Sequence, residues 1–110
     1  MLLILARAGA ALMVAGLLFV MIGPFQGAER SVGVSDGTAH VLAFALITGA
    51  LLLNLPKWSR LQIVLLALAA GIGVEFAQAL SGRDADWHDV VADIVGILAM
   101  AALWFPRRLW

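Results

Sequence analysis

Cysteine is absent from this chain, and charged residues make up only 13% of it. Without cysteine there is no disulfide framework, no thiol nucleophile and no Cys-ligated zinc site. The sequence also lacks a basic face for nucleic acid and the GxSxG, HExxH, P-loop and Rossmann patterns of familiar enzymes. Instead, 64% of the residues are hydrophobic and the mean hydropathy is +1.04, which indicates a membrane protein.

Four apolar stretches of roughly 18 to 21 residues approach the length that crosses a hydrocarbon core about 30 Å thick. We predict an all-α fold in which residues 1–110 form a single domain, a membrane-embedded four-helix bundle with up-and-down topology. The predicted helices are 2–22, 38–55, 61–80 and 87–104. Close helix approach is predicted at small residues, namely Ala69, Gly73, Ala77, Ala92 and Gly96. The first helix also has an alternative interpretation as a signal peptide.

The basic residues predict the orientation. With a cytoplasmic N-terminus, five of the seven basic residues lie inside, as the positive-inside rule requires. These five are Arg7, Lys57, Arg60, Arg107 and Arg108. Both termini are then cytoplasmic.

All seven acidic residues and both histidines fall at the predicted outer ends of the helices or in the outer loops. Asp36 and His40 are four residues apart, so they share one helix face. Glu75 lies inside an apolar segment, where an ionisable group costs at least ~2.5 to 3.5 kcal/mol near the bilayer centre. We therefore predict an outward-facing polar site. Its candidate ligand-binding residues are Asp36, His40, Glu75, Gln78, Arg83, Asp86, Asp89 and Asp93.

Several of these candidate site residues can instead have a purely structural role. Asp36 and Asp86 are good helix N-caps, and Arg83 can pair with a loop carboxylate. His40 and Gln78 can hydrogen-bond between helices. The whole network can therefore also be structural and fix the register of the helices.

Three motifs in this order resemble those of VanZ-like membrane proteins. They are "DGTAH" at the second helix, "EFAQ" late in the third, and "RDADWHDVVADIVG" across the third loop and fourth helix. The resemblance covers residues 36–96 directly and implies a four-helix protein of the bacterial inner membrane. The family is named for a protein associated with teicoplanin resistance, so a role in the cell envelope or in antibiotic resistance is implied. The chain departs from the pattern at Gly37, where Lys is frequent, and at Asp93, where Asn is common.

Three classes of function fit the polar site. The first is binding of a lipid headgroup, a lipid-linked precursor or a glycopeptide-type ligand. The second is a metal-assisted lipid-headgroup enzyme, with Glu75 and His40 as acid/base candidates and Arg83 as a phosphate clamp. Its divalent metal would be bound by members of the set His40, Asp36, Glu75, Asp89 and Asp93. The third is ion- or proton-coupled transport, for which a homodimer would have to complete the path.

Overall fold

The computed structural model describes residues 1–22, 36–80 and 87–103. Within these ranges the chain forms four α-helices and no strand. The helices are α1 (Leu2–Ile22), α2 (Asp36–Asn54), α3 (Arg60–Leu80) and α4 (Trp87–Leu103). The predicted all-α, four-helix architecture is confirmed, with every described helix end within two residues of its predicted position.

Three of these helices are long and apolar enough to cross a membrane. They are α1, α2 from Gly37 onward, and α3, with 21, 18 and 21 residues. At 1.5 Å per residue these lengths match a hydrocarbon core of about 30 Å. The described part of α4 has 17 residues and carries Asp89 and Asp93 in its first two turns. The chain is therefore a helical membrane protein.

Hydrogen bonds at the two ends of the bundle define the directions of the helices. At one end, Arg7 Nε at the start of α1 donates to the Leu53 carbonyl at the end of α2 over 2.9 Å. At the other end, Gln78 Nε2 of α3 donates to the Met21 carbonyl of α1 over 2.8 Å. Helices α1 and α3 thus run opposite to α2. Helix α4 runs parallel to α2, because Gly96 of α4 lies against Val41 and Met100 lies against Gly49 further along α2. We call the end at which α2 and α4 begin the polar end and the opposite end the basal end.

Helix α2 lies at the centre of the bundle and packs against the other three helices. Its Phe44 and Ile47 side chains are almost fully buried. The core consists of Ala43, Phe44, Ile47, Ala67, Val74 and Ile97. Helix α1 is described over its full length and contributes no buried residue, but partly buried side chains such as Val14 and Leu17 pack against this core.

The most extensive helix contact is between α2 and α4, which run in the same direction. They approach so closely at Gly96 that a Cβ atom there would overlap the Val41 carbonyl oxygen. Close approach at Gly96 was predicted and is confirmed. The same prediction is wrong for Ala69 and Gly73, which lie on an exposed face of α3, whereas Gly71 is buried. Helix α3 therefore packs against α2 and α4 with the face that contains Gly71, not with the face that contains Ala69 and Gly73.

Helix α3 begins with a reciprocal pair of capping hydrogen bonds. The Ser59 amide donates to Gln62 Oε1 over 2.8 Å, and the Gln62 amide donates to Ser59 Oγ over 3.2 Å. This capping box satisfies backbone donors that have no partner within the helix. It fixes where α3 starts, and so which α3 side chains reach the polar end.

The Gly96 contact gives a direct test of the packing. We expect Gly96→Ala to destabilise the bundle by about 1 to 3 kcal/mol, because the added methyl group must force α2 and α4 apart. Gly73→Ala is the matched control, since nothing lies within 4 Å of its Cβ position. Thermal or SDS-induced unfolding followed by circular dichroism measures both variants. Equal stability of the two would contradict the packing.

Candidate functional site

At the polar end, His40 of α2 lies between two carboxylates of α4. His40 Nδ1 is 2.7 Å from Asp93 Oδ1, which is a short hydrogen bond. On the other edge of the ring, His40 Nε2 is 3.7 Å from Asp89 Oδ2, an ion-pair distance. Both ring nitrogens therefore face an acidic group.

This arrangement follows from spacing along α4. Asp89 and Asp93 are four residues apart, so their side chains project from one face about one turn apart. Helix α2 contacts that face, and His40 enters between the two aspartates. The His40 ring also stacks on Phe44 one turn further along α2, with ring centroids 6.5 Å apart. Neighbours thus hold the ring on its edges and on one face.

Burial increases along this series of three residues. The Asp89 side chain is 17% exposed, His40 is 10% exposed and Asp93 is 1% exposed. The three groups consequently lead from the partly accessible surface of the polar end into the bundle interior.

The inner end of the series lies against α3. Asp93 Oδ2 is buried and makes no hydrogen bond within the described residues. It faces Gly71, where a Cβ atom would lie 3.1 Å from Oδ2 and 3.5 Å from Phe44 Cε1. Gly71 therefore makes room for the carboxylate and the aromatic ring at the junction of α2, α3 and α4.

Glu75, one turn beyond Gly71 on α3, belongs to the same cluster. Its carboxylate oxygens are buried, and its charge acts on the His40 ring together with the charges of Asp93 and Asp89. Three helices therefore bring one imidazole and three carboxyl groups together. We call His40, Glu75, Asp89 and Asp93 the polar cluster.

An apolar groove runs along the outer surface between α3 and α4 beside the polar cluster. Its volume is about 340 Å³. The lining residues are Ile72, Glu75, Phe76, Ala79, Trp87 and Val90. Glu75 thus contributes to the groove on one side while its charge acts on His40 on the other.

The remaining predicted site residues are placed differently. Gln78 is buried, and its amide caps the C-terminal end of α1 through the Met21 carbonyl, which is the interhelical role considered from the sequence. Asp36 is the first residue of α2, but its side chain lies outside what the structure describes. Arg83 and Asp86 also lie outside the described residues.

The predicted metal ligands do not form a metal site among the described residues. No group of three His, Asp or Glu side chains there is arranged to hold a metal ion. The two His40 nitrogens lie on different edges of the ring, and each faces its own carboxylate, so these groups do not converge on one point. We therefore assign no metal chemistry to the polar cluster.

Two residues that shape the cluster were not predicted from the sequence. Gly71 is in contact with Asp93, and Phe44 stacks on His40. Helical spacing could have identified both, because Gly71 is four residues before Glu75 and Phe44 is four residues after His40. Residues one turn deeper than a charged side chain on the same face are the signal that could have identified them.

Comparisons with protein-family models, curated proteins and solved structures gave no match to this chain. The resemblance to VanZ-like proteins therefore stays a prediction from the three sequence motifs.

Removing one partner of the His40–Asp93 pair tests how much their buried hydrogen bond contributes to the stability of the bundle. We expect His40→Leu to cost about 3 to 5 kcal/mol, because it leaves the Asp93 carboxyl group in the interior without its hydrogen bond. The double variant His40→Leu/Asp93→Val removes both polar groups and should recover most of that loss. SDS-induced unfolding measures the stabilities, with His88→Leu as an exposed control. A single variant as stable as the parent would refute the pairing.

Proposed function

We propose that this chain is a VanZ-like integral membrane protein that binds an amphiphilic envelope ligand at its polar end. The ligand classes are a lipid headgroup, a lipid-linked precursor and a glycopeptide with an acyl chain. The observation that carries the proposal is the apolar groove between α3 and α4, which directly adjoins the polar cluster. An amphiphile has the same two parts, an apolar chain and a polar group, joined end to end.

The dimensions and lining of the groove suit an acyl or polyprenyl chain. Its volume falls in the lower part of the range of about 300 to 1,000 Å³ for ligand sites. Ile72, Phe76 and Val90 give it apolar walls, and exposed Trp87 stands at the start of α4. Tryptophan favours the level of lipid headgroups, so a chain in the groove would carry its headgroup to Trp87 and the partly exposed Asp89.

Blocking the groove tests the binding. Ala79→Trp places a large side chain in the groove, and we expect it to lower binding about tenfold, or ~1.4 kcal/mol. Ala99→Trp is the matched control, because Ala99 is an exposed residue of α4 outside the groove lining. Native mass spectrometry with added phosphatidylethanolamine, polyprenyl phosphate or teicoplanin measures retention. If the two variants retain every probe equally, the groove is not the binding site.

We further propose that the polar end faces the outside of the bacterial inner membrane. The described lysine and arginine residues are Arg7, Lys57 and Arg60. They lie at the basal end, and the positive-inside rule places such residues in the cytoplasm. The predicted role in the cell envelope and in antibiotic resistance depends on this orientation, because a glycopeptide that acts from outside the cell meets the outer face of the membrane.

Single introduced cysteines test the orientation. The chain has no cysteine of its own, so all labelling comes from the introduced residue. Leu80 at the polar end and Lys57 at the basal end are both exposed. We expect Leu80→Cys to react with a membrane-impermeant maleimide on intact cells. Lys57→Cys should react only after the cells are permeabilised. The reverse pattern would place the polar end in the cytoplasm.

The metal-assisted enzyme stays a prediction without a supporting arrangement of ligands, given the geometry of the described residues. Glu75 and His40 belong to the same polar cluster, and their role as an acid/base pair stays a prediction. The groove and the cluster together support binding, because Glu75 belongs to both and so places a polar group beside the apolar walls.

A further inference from the structure

The polar cluster brings three carboxyl groups to one histidine. Asp93, Asp89 and Glu75 all act on the His40 ring. Within the described residues no lysine or arginine lies at the polar end, since Arg7, Lys57 and Arg60 are at the basal end. A carboxylate charge in apolar surroundings is costly, and Asp93 is the most deeply buried of the three carboxyl groups, with 1% of its side chain exposed. Proton binding to the carboxylates removes that cost.

The geometry also provides a route for protons. Asp89 is the most exposed of the three aligned groups and Asp93 the least, with His40 between them. Imidazole can accept a proton at one nitrogen and release a different proton from the other. His40 is oriented for this transfer, because Nε2 faces Asp89 and Nδ1 is bonded to Asp93.

We propose that Asp89, His40 and Asp93 form a proton relay, which loads an exchangeable proton onto buried Asp93 from the surface of the polar end. In the inward step, the O–H bond of protonated Asp89 breaks and an N–H bond forms at His40 Nε2. The Nδ1–H bond then breaks, and an O–H bond forms at Asp93 Oδ1. One proton has moved inward, and the neutral ring has changed tautomer from Nδ1–H to Nε2–H. Reversal of both transfers returns the proton and restores the first tautomer.

The two transfers differ in their requirements. The Nδ1 to Oδ1 distance of 2.7 Å already permits direct transfer. The Nε2 to Oδ2 distance of 3.7 Å exceeds a hydrogen bond, so a change in the Asp89 side-chain torsions or a bridging water must close it. The outer step is therefore the slower one, and Asp89 limits proton exchange between the ring and water.

The buried Asp93 carboxyl group gives the relay its inner terminus. Its Oδ2 atom has no hydrogen-bond partner among the described residues and faces Gly71. A carboxylate in such surroundings is stabilised by a proton, because a neutral carboxyl group costs far less to bury than a charged one. The relay needs no ligand in the groove, so it goes beyond the proposed binding function and can be tested separately.

The composition of the chain makes His40 directly observable. His40 and His88 are the only histidines in the sequence, and His88 is exposed and stacked on Trp87. His88→Gln leaves His40 as the single imidazole. Nitrogen-15-labelled histidine in this background, with the protein in lipid nanodiscs, reports the protonation and tautomer of both ring nitrogens by NMR across a pH series.

We expect a strongly hydrogen-bonded Nδ1–H at high pH and, as the pH falls and Asp93 takes up its proton, a change of the ring to the Nε2–H tautomer. Asp93→Asn should remove the strongly shifted Nδ1 proton. Asp89→Asn should keep that proton but slow its exchange with water about a hundredfold, the lower end of the contribution of a positioned acid/base group. Glu75→Gln is the charge control, because it removes a charge acting on His40 without interrupting the route, so it should change the exchange rate far less than Asp89→Asn does.

The relay would be overturned if Asp89→Asn exchanged its ring protons as fast as the parent. It would also be overturned if Glu75→Gln slowed exchange as much as Asp89→Asn, since the effect would then be one of charge alone. Asp89 is partly exposed, so its variant keeps the test valid even if Asp93→Asn fails to fold. The amide spectrum of each variant establishes that it is folded.

Discussion

The hydrogen bond between His40 and Asp93 is the interaction on which the polar end of this bundle depends. It joins α2 to α4, the pair of helices with the most extensive contact, and it lies one helical turn from Gly96, where the two backbones meet. Either side chain alone would be expensive to bury, whereas together they satisfy one another. The bond therefore sets the register of α4 on α2, and that register in turn brings Asp89 and the wall of the groove into position.

Helix α1 is held in a different way. Hydrophobic burial gives little drive for helix association in lipid, because the acyl chains are as apolar as the side chains. Although α1 has no buried residue, polar bonds fix it at both ends, with Arg7 bonded to the Leu53 carbonyl and Gln78 bonded to the Met21 carbonyl. These acceptors lie in the last turns of α2 and α1, where carbonyls lack helical partners. Gln78 thus anchors α1 to α3. The polar cluster is formed by the other three helices.

The sequence predicts the number and extent of the helices because apolar runs of membrane-spanning length end at breakers such as Pro56. It also predicts that His40, Glu75, Asp89 and Asp93 share one end of the bundle, since charge is costly elsewhere in a bilayer. It does not predict which groups pair, because spacing defines a face but not the rotation of a helix about its axis. Helix α3 shows the reason: it is apolar on nearly all sides, so its pattern does not separate the lipid-facing stripe through Gly73 from the buried stripe through Gly71.

Glu75 connects the two features of the polar end. It lines the groove, while its charge acts on the His40 ring. Whatever enters the groove replaces lipid or water beside Glu75 and thereby changes the electrostatic environment that the relay experiences. Such a coupling is reciprocal by thermodynamic necessity, so protonation of the cluster must alter ligand affinity by the same factor. Its sign depends on the headgroup: a cationic group favours the more ionised cluster, whereas an anionic group favours the protonated one. The proposed ligand binding and the proposed proton binding would therefore be coupled through Glu75.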